Sequence, residues 1–368
     1  MWWLALVQSH GHIQLFGWCG LMVLGVGLHF LPRLRGAPLV GVQLVPAALI
    51  WLVGGLILRA VAQPLAAADI APFVAQPALI LSGIFELVAT CVVVGILVAT
   101  LRSGPPVKTR AGLQAVLPYF AVAFSSLLIA LAVNAHGLWI GAGLVPGWHD
   151  RVVVLLGLEG FLVPVAVAMS MRLFPLYFRT RLPRIGAMHA GLGAWIVGLL
   201  LRLAGVDLGS IVQAVGAGLF LLGLGVFAPR VPRPRDAIHL LADPMQWHAL
   251  TAYGWLAAAA LVLGTGASDD AERHLLGAGF VTLLIFGVGA HMLPGFGLQS
   301  LQSRWLVWAT LVLGNAAVLL RVIPSLWPTT LSSVAVGSTY AFAGLIGLVA
   351  VAVFTINVVV GSKSTNKP

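Results

Sequence analysis

The first long apolar run of the chain opens with SHGHIQLFGW, residues 9–18, which places two histidines, His10 and His12, at its start. In an α-helix, which turns about 100° per residue, these two side chains point about 200° apart. They therefore cannot bind one metal ion from one side, but they can serve two sites on different flanks of the helix. Imidazole in an apolar span suits haem iron, copper and zinc alike.

The same arrangement recurs late in the chain: two histidines with sixteen residues between them, and a proline three residues after the second. The two copies are His12, His29 and Pro32, and His274, His291 and Pro294. A weaker third copy runs from Gly157 to Pro175, with Arg172 in place of the second histidine. Three copies predict an internal repeat, with units of roughly 1–136, 137–264 and 265–360.

Composition decides the fold class, because the chain is 60% hydrophobic and 8% charged, with a mean hydropathy of +1.04. Continuous apolar runs of about 18 or more residues each predict a membrane-spanning helix, and they lack the alternation of strands. About eleven such spans are predicted, with twelve as the alternative. They are 11–31, 39–62, 77–101, 112–133, 152–172, 187–204, 208–228, 247–264, 273–293, 305–322 and 334–360.

The predicted architecture is therefore all-α. Residues 1–360 should form a single transmembrane domain, a polytopic protein with four-helix units in a pseudo-threefold arrangement. The tail 361–368 should be a disordered cytoplasmic segment. No cleavage site follows the first run, so we do not interpret it as a removable signal peptide.

The net charge is +10, and the distribution of the basic residues along the chain indicates membrane topology rather than nucleic-acid binding. Most basic residues, including those of the segments 179–184 and 230–235, fall on the side opposite the N-terminus. The N-terminal side receives only Arg59, Arg151, Arg202, Arg273 and Arg321. The positive-inside rule then places the N-terminus outside and the C-terminus in the cytoplasm.

This orientation sorts the histidines by depth. His10, His12 and His274 lie at outer helix ends, whereas His29, His248 and His291 lie at the inner side. A helix of 17 residues rises about 25 Å, so the two histidines of one repeat cannot share a metal ion. We expect a haem in the outer half, held by His274 together with His10 or His12. The inner histidines can hold copper or another metal, or cap helix ends.

The other four histidines have a simpler interpretation. Helix-end and interfacial anchoring is the expected role of His136, His149, His189 and His239.

Two carboxylates lie inside predicted spans, Glu86 in the third and Glu159 in the fifth. Intramembrane acids are costly and often mark proton paths, so both are candidates for proton transfer. The alternative is a neutral carboxyl group that is hydrogen-bonded to a neighbouring helix. No other residue of the chain is a candidate for a catalytic role.

Several motifs, taken in order, resemble the NnrS family. Its members typically open their first helix with HAHEMLFG, where this chain has HGHIQLFG at 10–17. After a middle helix they carry an arginine followed by two hydrophobic residues, a proline, a hydrophobic residue and a phenylalanine, which RLFPLYF at 172–178 resembles. Trp247-His248 and Arg273-His274 match two later family motifs. The family's usual GHTGR is replaced here by GAHMLP at 289–294, and about eleven spans are predicted where twelve are usual.

The resemblance implies a haem- and copper-containing polytopic protein linked to nitric oxide tolerance, distantly similar to the catalytic subunit of haem–copper oxidases and nitric oxide reductases. In that subunit a His-x-His ligates two haems, as His10 and His12 could. This chain lacks the adjacent His-His pair that holds the second metal there, so a complete oxidase or reductase site is not expected.

The expected function is the handling of nitric oxide or electrons at b-type haem, with nitric oxide and a quinol or other electron donor as partners. Two alternatives stay open. One is a small oxidoreductase, resembling nitric oxide reductase or coupled to quinol, in which Glu86 and Glu159 deliver protons. The other is a transporter for haem, copper or an organic solute.

The topology can be tested with reporter fusions. A reporter that is active only in the periplasm should be inactive when fused to Pro368, because the positive-inside rule keeps this end in the cytoplasm. The same reporter fused after Val206, in an outer loop, should be active. Strong activity at Pro368 would contradict the predicted orientation.

Overall fold

The computed structural model describes residues 2–104, 111–228, 243–297, 299–327 and 333–360. The predicted tail 361–368, the basic segment 230–235 and His239 lie outside these residues. Within the described part the chain is helical and contains no β-strand element.

Among the described residues, ten helices are long and apolar enough to cross a membrane, and a further apolar helix is shorter. In chain order they are α1 Trp2–Arg35, α2 Val42–Ala67, α3 Pro72–Ser103, α4 Gly112–Ile140, α5 Gly147–Tyr177, α6 Ile185–Leu203, α7 Leu208–Leu224, α8 Pro244–Thr265, α9 Asp269–Phe296, α10 Arg304–Leu326 and α11 Val334–Val359. Large apolar side chains are exposed along them, such as Leu222 at 69% and Leu261 at 72%. Such a surface fits lipid, and the predicted all-α polytopic membrane fold is confirmed.

Several helices are longer than the spans predicted from hydropathy. The expected loop 63–76 is mostly helical, because α2 continues to Ala67 and α3 begins at Pro72. Polar residues at these ends are satisfied by hydrogen bonds: Gln63 is fully buried, and Gln76 donates to the carbonyl of Gly141 at 2.9 Å. A hydropathy window ends at such residues although the helix does not.

The chain divides into two compact units, Met1–Ala168 and Met169–Pro368. In the first, α2 packs against α1 and α3, and α4 against α3 and α5. In the second, α6 packs against α7, α8 lies between α7 and α9, and α10 packs against α9 and α11. The boundary falls within α5, the first helix of the second predicted repeat.

Three helices, α1, α5 and α9, contain a π-helical segment: Ile13–Cys19, Leu156–Leu162 and Leu275–Thr282. Each begins 19 residues before the repeat proline, directly after His12, Leu155 and His274. The same three helices carry the histidine and proline repeat. The backbone thus repeats in register with the sequence, while the superposition of the three helices in space stays a prediction.

The register continues into the next helix. Arg59 on α2, Arg202 on α6 and Arg321 on α10 each lie 27 residues after the proline of their repeat. Gly55 and Gly198 each precede the arginine by four residues, and both mark a close helix contact. A Cβ at Gly55 would lie 2.7 Å from Glu86 Cγ, and one at Gly198 would lie 2.5 Å from Gln213 Cγ.

Gly55 and its neighbour Gly54 provide a matched test of this packing. Gly55→Ala should destabilise the protein by about 1–3 kcal/mol, because the new methyl group forces α2 and α3 apart. Gly54→Ala should not, since a Cβ there meets nothing within 4 Å. Thermal unfolding in detergent would measure the difference, and equal melting temperatures for the two variants would contradict this packing.

Candidate functional site

The clearest candidate site in the first unit pairs His12 with Glu86. His12 Nε2 lies 2.5 Å from Glu86 Oε2, and the two residues are 3% and 0% exposed. A contact this short requires one proton between the two atoms. Neither His12 Nδ1 nor Glu86 Oε1 has a hydrogen-bond partner within the described residues, although both atoms are buried. The pair can therefore hold a proton and offer one further nitrogen to a ligand.

Local structure fixes the pair from both sides. His12 ends the first α-helical part of α1, and its ring packs on Phe16 one turn later, with ring centroids 4.7 Å apart. Glu86 lies in the middle of α3 and faces α2 at Gly55, where the absence of a side chain gives it room. The carboxylate thus orients the imidazole, as outer-shell carboxylates do at metal-bound histidines.

A second polar network lies beside this pair. Arg59 donates to Gln63 Oε1 at 2.6 Å and to Asn134 Oδ1 at 3.0 Å, and it is 1% exposed. Gln63 donates to Gln8 at 3.0 Å, and Gln8 bonds both the N–H and the carbonyl of Val145. Glu86 and Asp150 also stabilise the guanidinium by Coulombic attraction. A buried arginine is thus compensated by groups from α1, α2, α3 and α4.

The second unit holds the matching network, in the same register. Arg321 donates to Asp270 Oδ1 at 2.6 Å, and Ser325 donates to Asp270 Oδ2 at 2.5 Å. Arg321 also lies over the Tyr340 ring, 3.7 Å from its centroid. Asp270, Ser325 and Arg321 follow Gln8, Gln63 and Arg59 by one common offset of 262 residues, which also relates His274 to His12.

The two equivalent histidines differ in their partners. His274 Nδ1 donates to the backbone carbonyl of Asp270 at 2.8 Å, and its Nε2 accepts from Arg321 Nε at 3.2 Å. Because arginine can only donate, the Nε2 of His274 carries no proton. His12 instead shares a proton with a carboxylate. The contacts of His274 therefore hold its imidazole as a neutral ring with the proton on Nδ1, whereas the imidazole of His12 is paired with a carboxylate.

Arg202 in the second unit completes the set of equivalent arginines. It binds Glu272 through two contacts of 2.9 Å and Gln213 Oε1 at 2.8 Å, with all three residues buried. This bidentate ion pair joins α6, α7 and α9. It supports the α9 turn in which His274 lies.

Two further predicted metal ligands of the second unit, His248 and His291, lie on α8 and α9, which pack against each other. His248 is fully buried; its Nδ1 donates to Pro244 O at 2.7 Å, and its Nε2 lies 3.2 Å from Thr310 Oγ1. That hydroxyl also donates to Val307 O, and its single proton cannot serve both acceptors. His291 Nδ1 lies 3.3 Å from Met245 Sδ, three residues before His248.

The remaining predicted residues occupy separate places. His10 is exposed on α1, while His12 is buried, as their angular separation predicted. His29 is half-buried near the inner end of α1 in the first unit. Glu159 is 1% exposed within the π-helical segment of α5.

No group of three or more His, Cys, Asp and Glu residues that could hold a metal ion is found within the described ranges. Metal binding at His29, His248 and His291 stays a prediction, as does a haem shared by His274 with His10 or His12.

Sequence reasoning missed the arginine networks. Arg59, Arg202 and Arg321 were noted only as outer-side charges, although their equal distance from the repeat prolines was visible in the sequence. Their partners carry no such signal, because Gln63, Asn134 and Gln213 are uncharged residues in otherwise apolar helices. The contact of His12 with Glu86 joins residues 74 positions apart and also lacked a local signal.

Comparison of the chain with protein-family models and with curated proteins finds no match.

The Arg202–Glu272 pair allows a test of the second unit. Glu272→Gln should destabilise the protein by about 3–5 kcal/mol, because it leaves a buried guanidinium without its counter-charge. The control is Asp269→Asn in the same helical turn, which is exposed and should change stability by less than about 0.5 kcal/mol. Thermal unfolding in detergent compares the two, and a Glu272→Gln melting temperature equal to that of the control would exclude a buried ion pair.

Proposed function

We propose that this protein is a haem-binding integral membrane protein of the NnrS type, which handles nitric oxide or electrons at b-type haem. The observation that carries the proposal is His12: a buried imidazole that is oriented by Glu86 and has a buried nitrogen without a partner in the described part of the chain. Burial of such an atom without compensation costs about 1–3 kcal/mol, which a ligand would recover.

The repeat adds support. His12 and the equivalent His274 both directly precede a π-helical segment, and such segments are frequent at functional sites. We propose His274 as a haem ligand together with His12, with His10 as the alternative to His12. His12 is the stronger candidate, because His274 already uses both ring nitrogens and must give up its contact with Arg321 to bind iron.

Haem, when bound, supplies an iron that can bind nitric oxide and exchange single electrons. The protein residues supply orientation and proton control. Glu86 holds a proton at His12 Nε2, and Glu86 also attracts the neighbouring guanidinium of Arg59. The apolar helices around the pair exclude water, which strengthens these electrostatic interactions.

Other parts of the proposal rest on sequence. Copper is proposed at His248, His29 and His291, because imidazole suits copper. On α8 and α9 the thioether of Met245 lies beside His291 and adds a soft ligand. We further propose a location in a bacterial inner membrane with the N-terminus outside, and a quinol or another electron-transfer partner.

A second candidate function is an oxidoreductase proper. The observation that favours it is again the proton shared by His12 and Glu86, because reduction of a small molecule at a buried site consumes protons. Glu159, buried in α5, is the other proposed proton carrier.

An absorption spectrum of the purified protein, with the haem-to-protein ratio, tests the proposal. The wild type should show a Soret band, and His12→Ala should lose most of the haem. His274→Ala should retain more haem than His12→Ala, and the control His189→Ala, an exposed histidine of α6, should match the wild type.

Two results would count against the proposal. Colourless protein from cells supplied with haem precursor would favour transport. Full haem content in His12→Ala, with unchanged reduced-minus-oxidised bands, would reject His12 as a ligand.

A further inference from the structure

A second pair of histidines lies at the junction of α4 and α5, apart from the His12–Glu86 pair. His136 Nδ1 is 2.9 Å from His149 Nε2, and the ring centroids are 5.1 Å apart. His136 is exposed and His149 is half-buried. Trp139 and Trp148, exposed by 69% and 62%, lie between the two histidines in sequence and indicate that the pair lies at the level of the membrane interface.

The backbone around the pair is rigid. Leu138 on α4 and Val145 before α5 pack into one buried cluster with Ala62 and Leu79. Val145 is also held by Gln8 through both of its backbone groups. The two histidines therefore project from segments whose separation is fixed, as a preorganised site requires.

Gly137 lets α5 approach α4 closely at this point. A Cβ at residue 137 would lie 3.1 Å from His149 Cβ. A glycine between His136 and Leu138 therefore brings the two imidazoles within contact distance.

We propose that His136 and His149 form a binding site for a divalent transition-metal ion, with copper(II) as the best fit. Two nitrogens bound at about 2.0 Å and at right angles to one ion lie about 2.8 Å apart, as in square-planar copper(II). Tetrahedral zinc would hold them about 3.3 Å apart. The observed 2.9 Å matches the copper(II) geometry without movement of the backbone.

Binding needs only side-chain rotation. In the metal-free pair one ring donates its N–H to the other, whereas in the complex both nitrogens present lone pairs to the ion. His149 Nδ1 has no hydrogen-bond partner among the described residues, so rotation of this ring breaks its hydrogen bond with His136 and shifts its edge contact with Trp148. The exposed side of His136 lets water complete the coordination. Protons compete for the same nitrogens, and affinity should fall as the pH is lowered. This site does not depend on the proposed haem function.

The test is copper(II) titration of full-length, tag-free protein after chelator treatment, followed by electron paramagnetic resonance. Wild type should bind one equivalent of copper(II) more than His136→Ala does, and the copper at this site should show hyperfine coupling to two nitrogens. Because loss of an outer-shell partner alone costs about 10–100-fold in metal affinity, His136→Ala and His149→Ala should each weaken binding by at least about tenfold. The control His189→Ala should bind as the wild type does.

A second readout separates ligation from a structural role. Copper(II) should raise the melting temperature of the wild type and of His189→Ala, but not that of either His136→Ala or His149→Ala. If His149→Ala unfolds during purification, His136→Ala decides alone, since its exposed side chain can be removed without disturbing the core. No copper bound by the wild type, or equal binding by wild type and His136→Ala, would overturn the proposal.

Discussion

A charged side chain inside a membrane-spanning helix must find its compensation within the protein, because lipid offers none. This constraint shapes both units. Arg59, Arg202 and Arg321 lie at equivalent positions, and each is compensated differently: by amides together with the attraction of nearby acids, by a bidentate glutamate, and by an aspartate with an aromatic face. The position of the arginine persists through the repeat while its partners change. Its charge, rather than any one partner, is thus the constant feature.

The partners of these arginines decide what the neighbouring histidines can do. In the first unit the arginine is compensated by amides, which leaves Glu86 available to His12. In the second, Asp270 takes the guanidinium, and Arg321 reaches the histidine itself. The same register therefore yields a proton-sharing imidazole in one unit and a neutral, hydrogen-bonded one in the other. The two histidines therefore differ in available chemistry, because His12 shares a proton with Glu86 whereas His274 uses both ring nitrogens in hydrogen bonds.

Continuous apolar runs were sufficient to predict the membrane class and the eleven helices, because composition alone determines whether a helix can span lipid. The opposite orientations of His10 and His12 also followed from helical geometry, since both residues precede the first π-helical segment. Contacts between helices could not be predicted in this way. Glu86 contacts His12, and His136 contacts His149, because Gly55 and Gly137 let particular helices approach closely. A glycine in an apolar run does not by itself reveal which helix packs against it, so a single sequence could not predict these contacts.

The π-helical segments explain why helix periodicity fails beyond His12. A π-helical turn holds more residues than an α-helical one, so every residue after it faces a direction that an ideal helix would not give. Its wider turn also leaves carbonyls that need other donors, and Thr282 provides one by bonding Gly277 O at 3.0 Å. Such a segment is rare because its packing is poorer, yet it occurs three times here at one position of the repeat. A feature that costs stability and still recurs in register has a role beyond stability. The residues that directly precede it, His12 and His274, are therefore where binding chemistry is to be sought first.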